Sequence, residues 1–172
     1  YLTADNIISS LGFTTQENIK AIQDYRTGIA MHTLNNTPDI SDTPVQAATI
    51  DHERLTEYVS QHQLEEFTRL EQLFILSIKD VLSQTDIPID LSSPDCCILF
   101  SRTKGNIYLL SGCADEEKAV TVSLWHMAER TAGYFNAGQN FRIISNACIS
   151  GVSALVVAKR IMEEECYRKV IV

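Results

Sequence analysis

Residues 141–165 read FRIISNACISGVSALVVAKRIMEEE, and this stretch decides the fold. The apolar run at 141–144 predicts a short strand, and residues 145–147 predict a tight turn. A helix is expected from about residue 148 to about residue 165, because no proline interrupts it. Apolar side chains occur on most sides of this helix, so we expect it to be buried against neighbours on more than one side.

Cys148 stands where the predicted strand passes into the predicted helix. The first N–H groups of a helix have no partner inside it, and they carry a partial positive charge. That field favours the thiolate over the thiol, and the thiolate is the reactive nucleophile. The same N–H groups could hold the oxyanion that forms when a thioester is attacked. The alternative interpretation is a buried, inert cysteine that packs like a small apolar residue.

Elsewhere the chain alternates between predicted strands and predicted helices. The strands are expected at residues 1–10, 96–100, 141–144 and 170–172, the helices at about 14–25, 51–62, 64–83, 120–134 and 148–165, and an irregular polar loop at 33–49. This alternation predicts an α/β fold in which a mostly parallel sheet carries helices on both faces. In the first helix, Thr14 or Thr15 is the expected cap, and Glu17 is placed for a capping box with Thr14. Ile19 and Ile22 predict the inner face.

The chain has 172 residues, which predicts one domain over residues 1–172 or a part of a larger one. Its last predicted strand, at 170–172, is an apolar strand with nothing after it to protect it. An unprotected apolar strand invites aggregation. We therefore expect the sequence to be the N-terminal half of a longer fold, with the C-terminal half absent.

The formal net charge of -8 argues against a nucleic-acid-binding protein, because phosphate contacts need clustered Lys and Arg. The sequence contains no apolar run near the 20 or so residues that a transmembrane helix needs. It also shows no basic start followed by an apolar signal segment. We expect neither a membrane nor a nucleic acid among the partners.

The cysteine pattern favours a reducing compartment, and we expect a cytoplasmic protein. None of the cysteines forms a C-x-x-C pair, their number is odd, and the chain is neither small nor rich in loops. The same spacing argues against a zinc site, and no metal is expected. The five are Cys96, Cys97, Cys113, Cys148 and Cys166.

Four stretches together resemble the β-ketoacyl synthases of the thiolase fold. Residues 146–151, Asn-Ala-Cys-Ile-Ser-Gly, are similar to the nucleophile motif of that family. Residues 129–135, ERTAGYF, resemble its N-R-(V/I)-S-Y-x-F stretch, with Arg130 in register. The opening YLTADNIISSLGFTTQENIKAIQDYRTGI is similar to the family's first strand and the helix that follows it, and residues 64–87 are similar to the family's next helix. The four stretches span nearly the whole chain.

The resemblance implies an acyltransferase of fatty-acid or polyketide-like synthesis. Cys148 would be the nucleophile, with its own backbone N–H in the oxyanion hole. It would take an acyl group from the phosphopantetheine of acyl carrier protein and then condense it with a decarboxylating malonyl thioester. No cofactor would be bound. The family implies a homodimer, or a heterodimer with a second ketosynthase-like subunit, with residues 141–144 and the helix bearing Trp125 as candidate interface.

Some residues depart from the family pattern. Ala4 and Asn6 stand where the family usually has glycine, Ser10 where it has proline, and Ile149 where it has a smaller residue. The family also uses two histidines, a lysine and a phenylalanine from its C-terminal half, and those positions lie beyond Val172. We assign none of the four histidines of this chain to catalysis: His32, His52, His62 and His126.

Three other functions stay open. A non-catalytic ketosynthase-like subunit would share the fold, although such subunits usually lack the cysteine. A coenzyme A-dependent enzyme of the thiolase fold would use the same nucleophile, but the stretch from Arg130 to Phe135 favours a ketosynthase. A hydrolase with a cysteine nucleophile would need a histidine paired with Cys148.

Overall fold

A computed structural model describes residues 2–33, 44–86, 88–110 and 120–172. The chain divides into two compact units. The first consists of Tyr1–Leu64 and Leu76–Asp86, and the second of Glu65–Ile75 and Ile87–Val172. The chain is mixed α/β, as the sequence predicts, and each unit is described by itself below.

In the first unit, helix α1 spans Thr15–Gln23. The hydroxyl of Thr14 caps it by accepting the Glu17 N–H at 3.2 Å, while the Glu17 carboxylate accepts the Phe13 N–H at 2.7 Å. The predicted cap is therefore confirmed. Such side-chain caps satisfy amides that the first turn of a helix leaves without partners.

The inner face predicted for α1 is wrong. Ile19 and Ile22 are 48% and 64% exposed, whereas Asn18 and Ala21 are buried. The reason is that the Asn18 amide donates to the carbonyl oxygens of Ile7, Gly12 and Thr14 at 2.9, 3.2 and 2.8 Å. These bonds hold a polar side chain inward, because a buried amide needs hydrogen-bond partners.

The strand predicted at residues 1–10 is also wrong for the part that the structure describes. Residues 2–8 form no regular element, and only a bridge between Ser9 and Gly12 follows. Side chains take the place of a neighbouring strand here. Gln84 donates to the Asp5 carbonyl at 2.9 Å, and Asn18 donates to that of Ile7. These two carbonyls thus have partners without a sheet.

Part of the predicted loop at 33–49 is a hairpin. Strand β1, Ile29–Thr33, pairs antiparallel with β2, Pro44–Ala48, so that Ile29 lies opposite Ala48. Both strands are largely exposed, and neither shows the sustained alternation of apolar and polar residues that indicates a strand. Residues 34–43 lie outside the described part. The next helix, α2, spans His52–Gln61 and confirms the helix predicted at 51–62.

Helix α3 spans Arg69–Ser83 and runs from the second unit into the first. It was predicted from residue 64, but it begins later because Thr68 and Glu71 form a capping box. The Glu71 N–H donates to the Thr68 hydroxyl at 3.4 Å, and the Thr68 N–H donates to the Glu71 carboxylate at 2.9 Å. Such a reciprocal pair fixes a helix start.

The second unit is built on a parallel sheet. Among the described residues three strands form it, in the order β4-β3-β5: β3 is Cys96–Ser101, β4 is Phe141–Ile144 and β5 is Lys169–Ile171. Ile98 lies opposite both Phe141 and Ile171. The central strand β3 is buried along almost its whole length, as expected of a strand covered on both faces.

Helices cover both faces of this sheet. Helix α4, Leu124–Tyr134, follows Ser123, whose hydroxyl accepts the His126 N–H at 3.1 Å. Residues 120–122 are helical as well. The helix predicted at 120–134 is therefore broken at Ser123, which caps its longer part. Helix α5, Ser150–Glu163, lies on the other face, where Ala158 packs against Cys97 and Leu99.

The face that carries Phe100 is aromatic. The Phe100 ring meets those of Phe74 and Phe141 edge to face, at centroid distances of 5.4 and 6.1 Å. The Trp125 ring lies 4.9 Å from that of Phe141. Because Phe100 and Leu99 are neighbours in a strand, they point to opposite faces, and the α/β/α layering follows.

The burial predicted for α5 is wrong on one side. Ser150, Ala154 and Ala158 are buried, but a set of large apolar side chains on the same helix is exposed: Val152, Leu155, Val156 and Met162.

Within the described ranges, no helix is both long and apolar enough to cross a membrane.

Candidate functional site

Cys148 lies in the connection between β4 and α5, as the sequence predicts. The connection contains a short 3₁₀ helix, Ala147–Ile149, and the α-helix begins at Ser150. The cysteine is thus in the turn that leads into the helix and not at the start of the α-helix itself. The first turn of α5 follows directly, and the Ile149 and Ser150 amides between it and the cysteine donate to the Asn146 and Ala147 carbonyls.

The residue before the cysteine has an unusual backbone. Ala147 has φ of 44°, in the left-handed region where a side chain other than glycine costs roughly 1–3 kcal/mol. Ala147 is the first residue of the 3₁₀ helix, so this conformation occurs where the chain enters that helix. Backbone strain of this kind persists only where surrounding bonds hold it, and it is concentrated at functional sites.

Three hydrogen bonds hold the turn. The Ser150 hydroxyl accepts the Asn146 N–H at 2.9 Å and donates to the Ala147 carbonyl at 2.8 Å. The Asn146 side chain donates to the Ser153 hydroxyl at 3.1 Å. Ser150 is only 6% exposed, so water competes little for its bonds.

The Cys148 side chain is exposed. The alternative interpretation, a buried apolar cysteine, therefore does not apply to this position. It does apply to Cys96 and Cys97, which are buried in β3. Burial raises the pKa of both of these thiols, which keeps them protonated and unreactive. Cys166 is exposed beyond the end of α5, and Cys113 lies outside the described residues.

The four histidines lie on other elements. His32 is in β1, His52 begins α2, His62 follows its last residue and His126 is in α4. A cysteine hydrolase needs a histidine beside its nucleophile, and neither β4 nor α5 contains one.

His62 lines a hollow that the sequence did not predict. The hollow lies in the first unit and has a volume of about 260 Å³. Burial, and then the charge of Lys79, lower the pKa of His62. The residues that line it come from α2 and the residue after it, from α3, and from the segment before α1, so no single stretch of sequence predicts the hollow. They are Ile8, Phe13, Thr14, Tyr58, His62, Leu76, Lys79, Asp80 and Ser83.

Arg130 does not reach the turn at Cys148 by any contact that the structure shows; it belongs to a polar cluster inside the second unit. Its Nε lies 3.3 Å from the Glu71 carboxylate, and its guanidinium carbon lies 4.9 Å from the centre of the Phe67 ring. Asn106 donates to Glu71 at 3.3 Å and accepts from the Thr68 hydroxyl at 3.0 Å. Glu71 and Asn106 are fully buried.

This cluster was missed because its members are far apart in the sequence. Glu71 is separated from Arg130 by 59 residues and from Asn106 by 35. A charged residue within a predicted helix ordinarily indicates a solvated face. Only the fold brings the three side chains together, and each buried polar atom then needs a partner.

Among the described residues, no group of three or more His, Cys, Asp or Glu side chains could hold a metal ion. A comparison of the sequence with protein-family models found no match, and a comparison with curated proteins found none either.

Proposed function

We propose that this chain is the N-terminal part of a β-ketoacyl synthase with a thiolase-like fold, and that Cys148 accepts the acyl group. The observation that carries the proposal is the exposed thiol of Cys148 at a strained turn between a parallel strand and a helix. The parallel sheet with helices on both faces supports the fold. The resemblance of residues 146–151 and 129–135 supports the family.

In the first step, the Cys148 thiolate attacks the carbonyl carbon of an acyl thioester. A new C–S bond forms, and the carbonyl oxygen takes up the electron pair as an oxyanion. Backbone N–H groups at the turn stabilise that charge, and losing one such donor costs about 3–4 kcal/mol in a studied hydrolase. The carbonyl then re-forms, and the thiol of the carrier's phosphopantetheine leaves, so that the acyl group remains on the cysteine.

In the second step, a malonyl thioester loses carbon dioxide, and the resulting carbanion attacks the acyl-cysteine. The product leaves and Cys148 is free again. The resemblance assigns this step to two histidines outside these residues. We therefore expect the 172-residue chain to be acylated but not to complete condensation by itself.

The partners follow from the proposed reaction. Acyl carrier protein would deliver the substrate in the cytoplasm, and no bound cofactor would be needed. A homodimer, or a heterodimer with a second ketosynthase-like subunit, would form through β4 and α4. Two features support this interface: β4 is an edge strand of the described sheet, and Trp125 beside it is 52% exposed.

The proposal is tested by intact mass measurement after mixing the protein with acyl-loaded acyl carrier protein. We expect one acyl adduct on the wild type and none on Cys148→Ala. Cys166→Ala is the matched control, because Cys166 is also exposed, and it should be acylated like the wild type.

Two results would contradict the proposal. Absence of an adduct on the folded wild type would favour a non-catalytic ketosynthase-like subunit. An adduct formed with acyl-coenzyme A but not with acyl carrier protein would favour a coenzyme A-dependent enzyme of the thiolase fold.

A further inference from the structure

The hydroxyl of Ser150 bonds to the chain on both sides of the bend before Cys148. It accepts the N–H of Asn146, at 2.9 Å, and donates to the carbonyl of Ala147, at 2.8 Å. These are the two residues that precede the cysteine. One side chain thus fixes two peptide groups, 145–146 and 147–148, that flank the peptide between Asn146 and Ala147.

These bonds act on a conformation that the backbone does not favour by itself. Ala147 has φ of 44°, and a residue with a side chain adopts this region only when its surroundings impose it. The Asn146 carbonyl also accepts the Ile149 N–H at 3.1 Å. Because Ser150 is buried, its hydroxyl is shielded from water that could replace either bond.

We infer that Ser150 is a positioning residue for acyl transfer: its hydroxyl holds the bend at Ala147 and so fixes the thiol and the amides around Cys148 for attack on the thioester. This inference rests on the function proposed above. A thioester reaction needs the nucleophile and the oxyanion donors to be placed together. Alkylation of the same thiol by iodoacetamide displaces iodide and develops no oxyanion, so it needs the thiol alone.

The experiment compares these two reactions in the wild type, Ser150→Ala and Ser83→Ala. Ser83 is the matched control, because its hydroxyl donates to the Asp80 carbonyl three residues earlier, at 2.7 Å, in another helix. Each protein is reacted with acyl-loaded acyl carrier protein and, separately, with iodoacetamide. Peptide mass mapping then gives the rate at Cys148, with Cys166 as the internal reference thiol.

We expect Ser150→Ala to slow acylation of Cys148 by roughly 10²-fold, the effect of misplacing reacting groups by about 1 Å. Its alkylation rate should change far less, and Ser83→Ala should match the wild type in both reactions. Ser150→Thr keeps the hydroxyl and should restore most of the acylation rate. Far-UV circular dichroism checks that each variant is folded.

Equal acylation rates in the wild type and Ser150→Ala would overturn the inference. Parallel losses of acylation and alkylation would overturn it too, because they would indicate a general loss of structure at the turn. If the wild type is not acylated, the proposed function fails, and whether Ser150 holds the bend is judged from hydrogen exchange of the Ile149 amide, which donates to the Asn146 carbonyl. Faster exchange in Ser150→Ala than in Ser83→Ala supports the role, and equal exchange excludes it.

Discussion

At the scale of single residues, Glu71 is a charged side chain inside the second unit that needs several hydrogen-bond donors. It is fully buried, and its ion-pair partner Arg130 is 34% exposed. A buried carboxylate loses its hydration, so each oxygen needs a donor. Asn106, the Thr68 N–H and Arg130 supply these donors. The cluster therefore ties α3, α4 and the segment at residue 106 to one another.

Removing the cation should destabilise the protein. We expect Arg130→Met to lower the free energy of unfolding by about 3 kcal/mol, the low end of the range for breaking a buried pair, because Arg130 is partly exposed. Urea unfolding measures the change. Lys159→Met is the control, since Lys159 and Glu163 form an exposed pair at 3.6 Å, and it should cost at most about 0.5 kcal/mol. Equal losses of unfolding free energy in the two variants would contradict the stabilising role of the pair between Arg130 and buried Glu71.

The ionisation of Glu17, in the first unit, makes the stability of the protein depend on pH. Arg54 holds it with two hydrogen bonds, of 2.6 and 3.0 Å, and these bonds, with the Phe13 N–H, lower the pKa of Glu17 from 4.5. The folded chain thus binds this proton less readily than the unfolded chain. The stability that Glu17 contributes is complete above about pH 4.5, and it is lost as the pH falls through the lowered pKa.

The variant Glu17→Gln removes this charge. At neutral pH we expect it to lower the free energy of unfolding by up to about 1 kcal/mol, as for a partly exposed ion pair. Between about pH 5 and pH 2 the difference from the wild type should narrow, because Glu17 itself becomes neutral. Chemical unfolding at several pH values tests this. A difference that stays constant down to pH 2 would refute the role of the Glu17 charge.

At the scale of elements, α5 has two faces of different character. Small residues, Ala154 and Ala158, let the helix lie close to β3. Larger apolar residues, among them Val152 and Leu155, are 65% and 59% exposed. Apolar content alone therefore did not determine which side of the helix is buried. The small side chains did, since they allow the closest approach to the sheet.

This arrangement predicts that substitutions on the two faces of α5 change the free energy of unfolding by different amounts. Leu155→Gln should change the free energy of unfolding by no more than about 0.5 kcal/mol, as at other exposed positions. Ala154→Leu should lower it by about 1–3 kcal/mol, because no space is left between α5 and the sheet. Thermal and urea unfolding of both variants give the comparison. A large loss in Leu155→Gln would show that this face is packed.

At the scale of the whole molecule, the described chain contains a parallel sheet with helices on both faces and, in the other unit, helices with an antiparallel hairpin. The parallel strands β3, β4 and β5 were all predicted, because each contains a short apolar run. The hairpin was not predicted, because β1 and β2 are exposed and bury few side chains.

The candidate site was predictable only where it depends on a local sequence pattern. Cys148 was located from a local pattern, an apolar run followed by a turn and a helix. Its exposure, the backbone at Ala147 and the bonds of Ser150 could not be read from that pattern. They depend on how the turn packs, and the sequence allowed both an exposed and a buried cysteine at this place.

The sequence by itself determined the features that depend on neighbours along the chain. These include the cap at Thr14, the strands of the parallel sheet and the passage from β4 into the helix after Cys148. Only the tertiary structure decided which faces are buried and which distant polar groups meet. Ile19 is exposed while its polar neighbour Asn18 is buried and donates to three backbone carbonyls, and Glu71 meets Arg130 across 59 residues. Burial and long-range pairing arise from contacts between elements, and a local pattern does not contain them.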